Sequence, residues 1–494
     1  MGLGSMGLGG GEHGVKAVTK RVFHEAVAEM PTLEAVRVAL EKKSNETVVV
    51  VDGNVLLRST PDCVSTLDGY VEYSRRQIDR AFAAGDHVVM VFDEPENITK
   101  AKAAEQARRD AQRKKTTSQS VVVSDDIQKL PSDDNYLISS LPVDFPAKDV
   151  ILLRGARSRV FDHVAVALFS RYKKAFAQML PGAPFKSFTI DGVDGRGGDR
   201  AVGDQRRSGL ISTLPEANRI FARTQPIGEG DLKMTVVVDE LSKEAASSES
   251  PMNGVNLFLL STVDTDSIVI ELLSHARRVV ENGSRPSVFL CLRERAKRGR
   301  QGEDAAGYFT VFDIHNLQNE VLRYLFPGET RLDVMIKRKA LTLFAMAAII
   351  CGTDFVEFKG LRFSEVLEII KDVCINKITS IAGLNGAWNP EDSQLLRLAA
   401  TVKQLLDTAA QKLDGVPRRW KNSASLRNPD CGEISRTLWN LSYWSDPFRE
   451  RKATEYWGFP FVWTGTCAPG HSPVAVMDTD TVDAPTVPVE VSVA

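Results

Sequence analysis

Seven acidic residues stand at chemically suggestive places in this chain. Asp52 and Asp93 close the apolar runs TVVVVD and HVVMVFD, and Asp264 and Asp266 follow the run VNLFLLSTV. Glu229 and Asp231 lie in GEGDLK, and Asp354 lies in CGTDF after an apolar, helix-like run. One acid at a strand end means little, because turns are rich in aspartate. Seven on one sheet edge would be different, since close carboxylates cannot all stay ionised without compensating charge. Hard divalent cations with oxygen ligands, Mg²⁺ or Mn²⁺, supply that charge. Two such ions about 4 Å apart activate a water and stabilise the leaving oxygen of a phosphodiester. The i, i+2 spacing of Glu229/Asp231 and Asp264/Asp266 puts both side chains on one face of a strand. In a loop it fixes nothing, and a turn or a helix cap is the competing reading.

A second set is cationic. In KAKAAEQARRDAQRKK, directly after Asp93, Lys102, Gln106 and Arg109 fall at i, i+4 and i+7 and share one helical face, which Arg113 continues. Two cations and an amide in a row suit a phosphate group. A solvated surface helix gives the same pattern. The cluster LRERAKRGR, with Arg293, Arg295, Lys297, Arg298 and Arg300, fits either a nucleic-acid backbone or a solvated loop.

These residues need elements to hold them. The continuous β-branched runs Thr47 to Asn54, His87 to Pro95 and Val255 to Ser267 suit strands buried on both faces, as in a parallel sheet. MTVVVDE, from Met234, reads equally as a strand or as the start of a helix. Helical patterns run over Leu67 to Ala83, Ile98 to Lys115 and Phe161 to Met179. The alternation predicts an α/β fold with a mostly parallel central sheet flanked by helices, followed by a mainly helical C-terminal part. In such sheets ligands bind outside the carboxyl ends of the strands, where the acids fall.

The chain has 494 residues, 43% hydrophobic and 26% charged, which reads as a soluble globular protein with a large core. A net charge of −2 does not by itself suggest nucleic-acid binding, so any such binding must come from local basic patches. The six cysteines show no Cys-x-x-Cys spacing, which speaks against a zinc site or a disulfide framework and for a reducing interior, nuclear or cytoplasmic. No apolar run reaches membrane length, so no membrane partner is expected. Residues 1–13 read as a flexible Gly-rich leader and 14–385 as the core. Insertions are expected near 116–149 and 185–226. Residues 386–465, which carry all six tryptophans, read as a distinct packing unit, and 466–494 as a disordered tail.

The order of the pieces resembles the 5′ nuclease superfamily, PIN-like proteins that include flap endonucleases, XPG proteins and Xrn 5′→3′ exoribonucleases. GVKAVTK, VVDGN, VFDEP, GEGD, DTD and GTDF follow in the family's order over roughly Gly14 to Ile370. Asp52 with Asn54 is similar to the Asp-x-Asn of Xrn, and AKAAEQARR to its phosphate-holding helix. GEGDLK is close to Gly-Glu-Gly-Glu-His-Lys, while CGTDFVEFKGLRFSEVLEII reads closer to flap endonucleases. The resemblance implies that the seven acids bind two Mg²⁺ or Mn²⁺ ions, and that Lys102, Gln106 and Arg109 hold a 5′ phosphate with Asn54, Arg58 and Arg113 nearby. There are departures. Arg58 stands where Xrn has a base-stacking histidine, Glu94 replaces a glycine, and Asp231 replaces a glutamate.

The expected activity is therefore metal-dependent 5′→3′ exonucleolysis of 5′-phosphorylated single-stranded RNA, or DNA. A flap-type DNA endonuclease is the first alternative, and a catalytically inactive nucleic-acid-binding protein the second.

Overall fold

The computed structural model describes residues 14–61, 64, 66–93, 154–192, 209–225, 227–281, 286–294, 307–329, 332, 334–353 and 361–377. Beyond these it describes residues 402, 404–412, 414, 437, 440, 441, 444, 461–463 and 475–477. The strands are β1 (Val27–Met30), β2 (Thr47–Asp52), β3 (His87–Val91), β4 (Ser187–Asp191), β5 (Leu210–Ser212), β6 (Leu257–Thr262), β7 (Ser287–Arg293) and β8 (Phe309–Asp313). They form one sheet in the order β1-β8-β7-β6-β2-β3-β4-β5. The five central strands, β7-β6-β2-β3-β4, run parallel, whereas β8 and β5 pair antiparallel to their inner neighbours. The fold is thus α/β with a mostly parallel mixed sheet. A separate two-stranded antiparallel sheet pairs β9 (Phe461–Trp463) with β10 (Ala475–Met477).

The strand residues alternate between two cores. Val48, Val50, Val89, Val91, Phe258 and Leu260 enter one, and Val49, Val51, Val88, Met90, Leu257 and Leu259 the other. Both faces are buried, which is why the strands read as unbroken apolar runs. Helices α1 (Val15–Val22), α7 (Gly230–Ala245), α8 (Asp266–Glu281), α9 (Ile314–Leu325), α10 (Val334–Ile350) and α11 (Phe363–Lys377) line the first core. So does the short α6 (Ala217–Ile220). Helices α2 (Leu33–Ala39), α3 (Gly53–Arg58), α4 (Leu67–Ala84) and α5 (Arg154–Ala177) line the second. In α5 the residues Val160, Val164, Leu168 and Tyr172 recur every four positions and face this core. Among the described residues no helix is long and apolar enough to cross a membrane.

The sequence expectations meet this fold unevenly. The runs at Thr47, His87 and Val255 are parallel strands, and Leu67 to Ala83 is a helix. MTVVVDE lies inside α7, not in a strand. This helix is buried nearly all round, from Leu232 through Asp239, so its valines satisfy packing rather than a pleat. The expected insertion at 185–226 is narrower than its composition suggests. Residues Ser187–Asp191 form β4, hydrogen-bonded to β3 inside the sheet, and β5 and α6 follow. The expected insertion near 116–149 and the helix expected to carry Lys102, Gln106, Arg109 and Arg113 fall outside the described residues. In the tryptophan-rich stretch, Trp444 and Leu441 pack into the same core as α10 and α11, and the Thr353 hydroxyl donates to Asn440 Oδ1 at 2.8 Å.

Candidate functional site

The chain leaves the sheet centre at β2, moves outward through β3 and β4, then returns to the other flank of β2 as β6. The reversal makes the carboxyl ends of β2 and β6 a topological switch point, the usual place for a ligand in an open α/β sheet. Asp52 ends β2 at this point. It is 6% exposed. Its Oδ1 accepts the Val55 N–H at 3.0 Å and so caps α3, while its Oδ2 accepts the Thr262 hydroxyl of β6 at 3.1 Å.

Burial, first of all, pushes the Asp52 carboxyl up to about 7. The Val55 hydrogen bond opposes this, Asp93 raises it further, Arg58 opposes it, and Asp264 raises it again. The effect of Asp93 and Asp264 on Asp52 shows that acids from three adjacent parallel strand ends share one neighbourhood.

Asp93 stands two residues beyond β3. Its Oδ1 accepts the Gly230 N–H at 2.9 Å, which fixes the first turn of α7 against the sheet edge. A carboxylate at a helix N-terminus is favoured by the free N–H groups and the helix dipole. A Cβ on Gly230 would stand 3.4 Å from Asp93 Oδ1 and 3.6 Å from Asn54 Nδ2, so Asp93 and Asn54 both border this turn. Asn54 is 7% exposed, and Arg58, at the last turn of α3, is exposed. Glu229 is the buried residue preceding α7, and Asp231 lies in its first turn, where its Oδ1 accepts the Ser267 hydroxyl at 3.2 Å.

The Asp264/Asp266 pair does not lie on a strand. Asp264 follows the end of β6, and its Oδ1 accepts the Asp266 N–H at 3.2 Å as α8 begins. Of the competing readings, a turn therefore describes the local geometry of this pair, with Asp264 closing an Asx turn just ahead of the helix. Glu229/Asp231 likewise straddle a helix start. Both pairs nevertheless reach the same edge, because α7 and α8 begin there.

Three residues that hold the site were not singled out from sequence. Thr262 donates to Asp52 and accepts the Asp264 N–H at 3.1 Å, so one hydroxyl ties the two acidic loops together. Its signal was a β-branched hydroxyl residue two positions before the Asp-x-Asp pair. Asp191 ends β4, and Lys233 of α7 lies 3.6 Å from it, both fully buried. This pair anchors α7 to a fourth parallel strand.

Asp354 lies outside the described residues, as do Lys102, Gln106, Arg109, Arg113 and Glu94. The turn leading to Asp354 is described. Gly352 adopts φ +115° after α10, a left-handed conformation that glycine takes without a steric penalty.

Oxygen donors suit Mg²⁺ or Mn²⁺, and a buried carboxylate raised by its acidic neighbours is the kind of group a divalent cation relieves. The donor chemistry at this edge fits such an ion. Among the described residues, no three His, Cys, Asp or Glu side chains are grouped to hold a metal ion as they stand. Asp52, Asp93 and Asp264 each lend an oxygen to a backbone N–H. A carboxylate has a second oxygen and four lone-pair sites, so capping and ligation are compatible. No protein-family model matches the chain, and no curated protein matches it.

Proposed function

We propose that this chain is a divalent-metal-dependent 5′ nuclease with a PIN-like core, acting on nucleic acid with a 5′ end. One observation carries the reading. Asp52 is buried at the switch point between β2 and β6, and burial raises its carboxyl to about 7, with Asp93 and Asp264 adding to the rise. Such a grouping is costly to a fold, and a site for cations gives it a use.

Asp52, Asp93, Asp264 and Asp266 would hold the ions from the strand ends, with Glu229 and Asp231 from the start of α7 and Asp354 from the turn after α10. Two bound Mg²⁺ or Mn²⁺ ions would supply the charge that activates water and stabilises the leaving oxygen. Thr262 fixes the second oxygen of Asp52, and the Gly230 N–H at the start of α7 fixes Asp93. Arg58, exposed at the rim, offers a guanidinium to a phosphate or a base face. Lys102, Gln106 and Arg109, whose spacing suits one face of a helix, would take the terminal phosphate. By motif order the substrate is 5′-phosphorylated single-stranded RNA or DNA, degraded 5′→3′, in the nucleus or cytoplasm.

A second reading is a nucleic-acid-binding protein without hydrolysis. It is favoured by the use of several acids as caps, with no three of the described ligand side chains grouped around a metal position. One assay separates the readings. End-labelled 5′-phosphorylated RNA, 5′-hydroxyl RNA, single-stranded DNA and a DNA flap are incubated with Mg²⁺. Mononucleotides from phosphorylated RNA alone support the exonuclease, and a single cut at the junction supports a flap endonuclease. Binding without cleavage leaves the second reading. Asp264→Ala with Asp266→Ala should reduce any cleavage by about a hundredfold or more, as loss of key electrostatic groups typically does. Undiminished cleavage by that variant would remove the two-metal assignment.

A further inference from the structure

Helices α7 and α8 begin at the acidic edge and run side by side beneath it. Their shared face is not apolar throughout. At the first turn the Ser267 hydroxyl donates to Asp231. One turn on, the Thr235 hydroxyl donates to Glu271. Two turns on, Asp239 accepts from both Arg277 and Arg278. Arg278 also reaches Glu271 Oε2 at 3.2 Å and the Thr235 carbonyl at 3.0 Å. On α7 the positions are 231, 235 and 239, a strict i, i+4, i+8 stripe.

Thr235, Ser267 and Glu271 are at most 1% exposed, Arg278 is 2% and Asp239 6%. Below Asp231 the charges balance, with Asp239 and Glu271 against Arg277 and Arg278. Burial works against the Arg278 charge, yet Asp239 and Glu271 outweigh it and the guanidinium is held above its ordinary value. The seam sits in a helix whose other buried positions are Gly230, Leu232, Lys233, Met234, Val236, Val237, Val238 and Leu241, with Lys233 turned to Asp191 of β4 rather than to α8. Valine and leucine pack adequately in several helix registers. A row of buried polar partners does not, because each slipped position leaves a polar group unmet.

We infer that this polar seam locks the register of α7 against α8, and so positions Glu229 and Asp231 opposite Asp264 and Asp266. A slip of one turn would carry Asp231 about 5.4 Å from Ser267. The residues of the seam are positioning residues, since Thr235, Asp239, Glu271 and Arg278 lie one turn or more below the edge. The consequence for catalysis rests on the nuclease reading; the register lock does not.

The test reads register directly. In a full-length variant with Asp231→Cys and Ser267→Cys, whose parent side chains meet, a disulfide should form readily under mild oxidation. In the same background, Thr235→Val, Asp239→Leu, Glu271→Leu, Arg277→Met and Arg278→Met replace the seam by apolar side chains. Such exchanges are often tolerated in stability. The expected result is an unchanged melting temperature with cross-linking slowed by about tenfold, in proportion to the lost preference for one register. Equal cross-linking rates in the two folded proteins would overturn the lock. Should the apolar variant fail to fold, Thr235→Val alone decides. A severalfold slowing supports the lock, and an unchanged rate overturns it.

Cleavage is measured in parallel on proteins with Asp231 and Ser267 intact. If the parent cleaves and the apolar-seam variant loses cleavage, the lock serves catalysis. If the parent does not cleave but the cross-linking difference holds, the nuclease reading falls and the lock stands.

Discussion

Replacing Asp52 by asparagine tests the electrostatics of the edge without changing its shape. Asparagine keeps an oxygen for the Val55 N–H and is an equally good cap. What it removes is the ionisable group. The folded protein holds the Asp52 carboxyl at about 7, against an ordinary 3.8. The folded value is the higher one, so between these limits the native state binds a proton that the unfolded state has lost. The contribution of Asp52 to stability is therefore complete below pH 3.8 and is lost as pH rises through about 7. At about 1.4 kcal/mol per pH step, the interval amounts to about 4 kcal/mol.

In EDTA, urea midpoints followed by circular dichroism should be similar for the two proteins at pH 4. They should separate steadily toward pH 8, where Asp52→Asn becomes the more stable by up to about 4 kcal/mol. Adding Mg²⁺ at pH 8 should raise the midpoint of the parent far more than that of the variant, because an ion bound to the native state stabilises it by mass action. Parallel pH profiles, or a gap that widens toward acid, would refute the placement of Asp52 in a crowded, buried acidic site.

Thr262→Val keeps the volume but removes the donor to Asp52 and the acceptor of the Asp264 N–H. Thermal melts should show a loss of about 1–3 kcal/mol, larger at pH 8 than at pH 5 because the ionised carboxylate depends more on its donor. Gly53 and Gly230 should differ on substitution by alanine. At Gly53 a Cβ would lie 2.6 Å from the Phe92 ring, whereas at Gly230 it would lie 3.4 Å from Asp93 Oδ1. Gly53→Ala should cost about 1–3 kcal/mol by overpacking, read from urea midpoints, and Phe92→Leu should recover part of it. Gly230→Ala should fold with near-parental stability, its contacts being ordinary.

The parallel strands were legible because burial on both faces leaves unbroken β-branched runs. β4 was not. SFTID is short, ends in an acid and adjoins a glycine-rich stretch, and only its pairing with β3 makes it core. MTVVVDE was left open between strand and helix, and the structure takes the helical reading. Four β-branched residues in a row suggest a strand, but a helix enclosed on nearly every side needs apolar residues whatever their intrinsic preference. The acids of the site were legible as residues and as strand ends, and the sheet does bring Asp52, Asp93 and Asp264 to one edge. Their local roles were not legible, since the i, i+2 pairs mark helix starts rather than strand faces. The seam was half legible. Positions 231, 235 and 239 show helical spacing, but nothing in sequence says that 267, 271 and 278 answer them.

Two aspartates in this fold do the same local work, and their difference bears on function. Asp313 ends β8 and caps α9, its Oδ1 accepting the Asn316 N–H at 3.0 Å, and it stays half-exposed. Asp52 ends β2 and caps α3 with the same bond length, yet it is buried where two further acids raise it. Capping is satisfied by the first arrangement and does not call for the second. Elsewhere the fold answers buried carboxylates with cations: Asp191 with Lys233, Asp239 and Glu271 with Arg278, Asp86 with Lys186. At Asp52 the first donors are a backbone N–H and a hydroxyl, and Asp93 weighs on it more than Arg58 does. Asp52 is instead held against its acidic neighbours at the switch point of the sheet, and that contrast is the ground on which a cation site is proposed there.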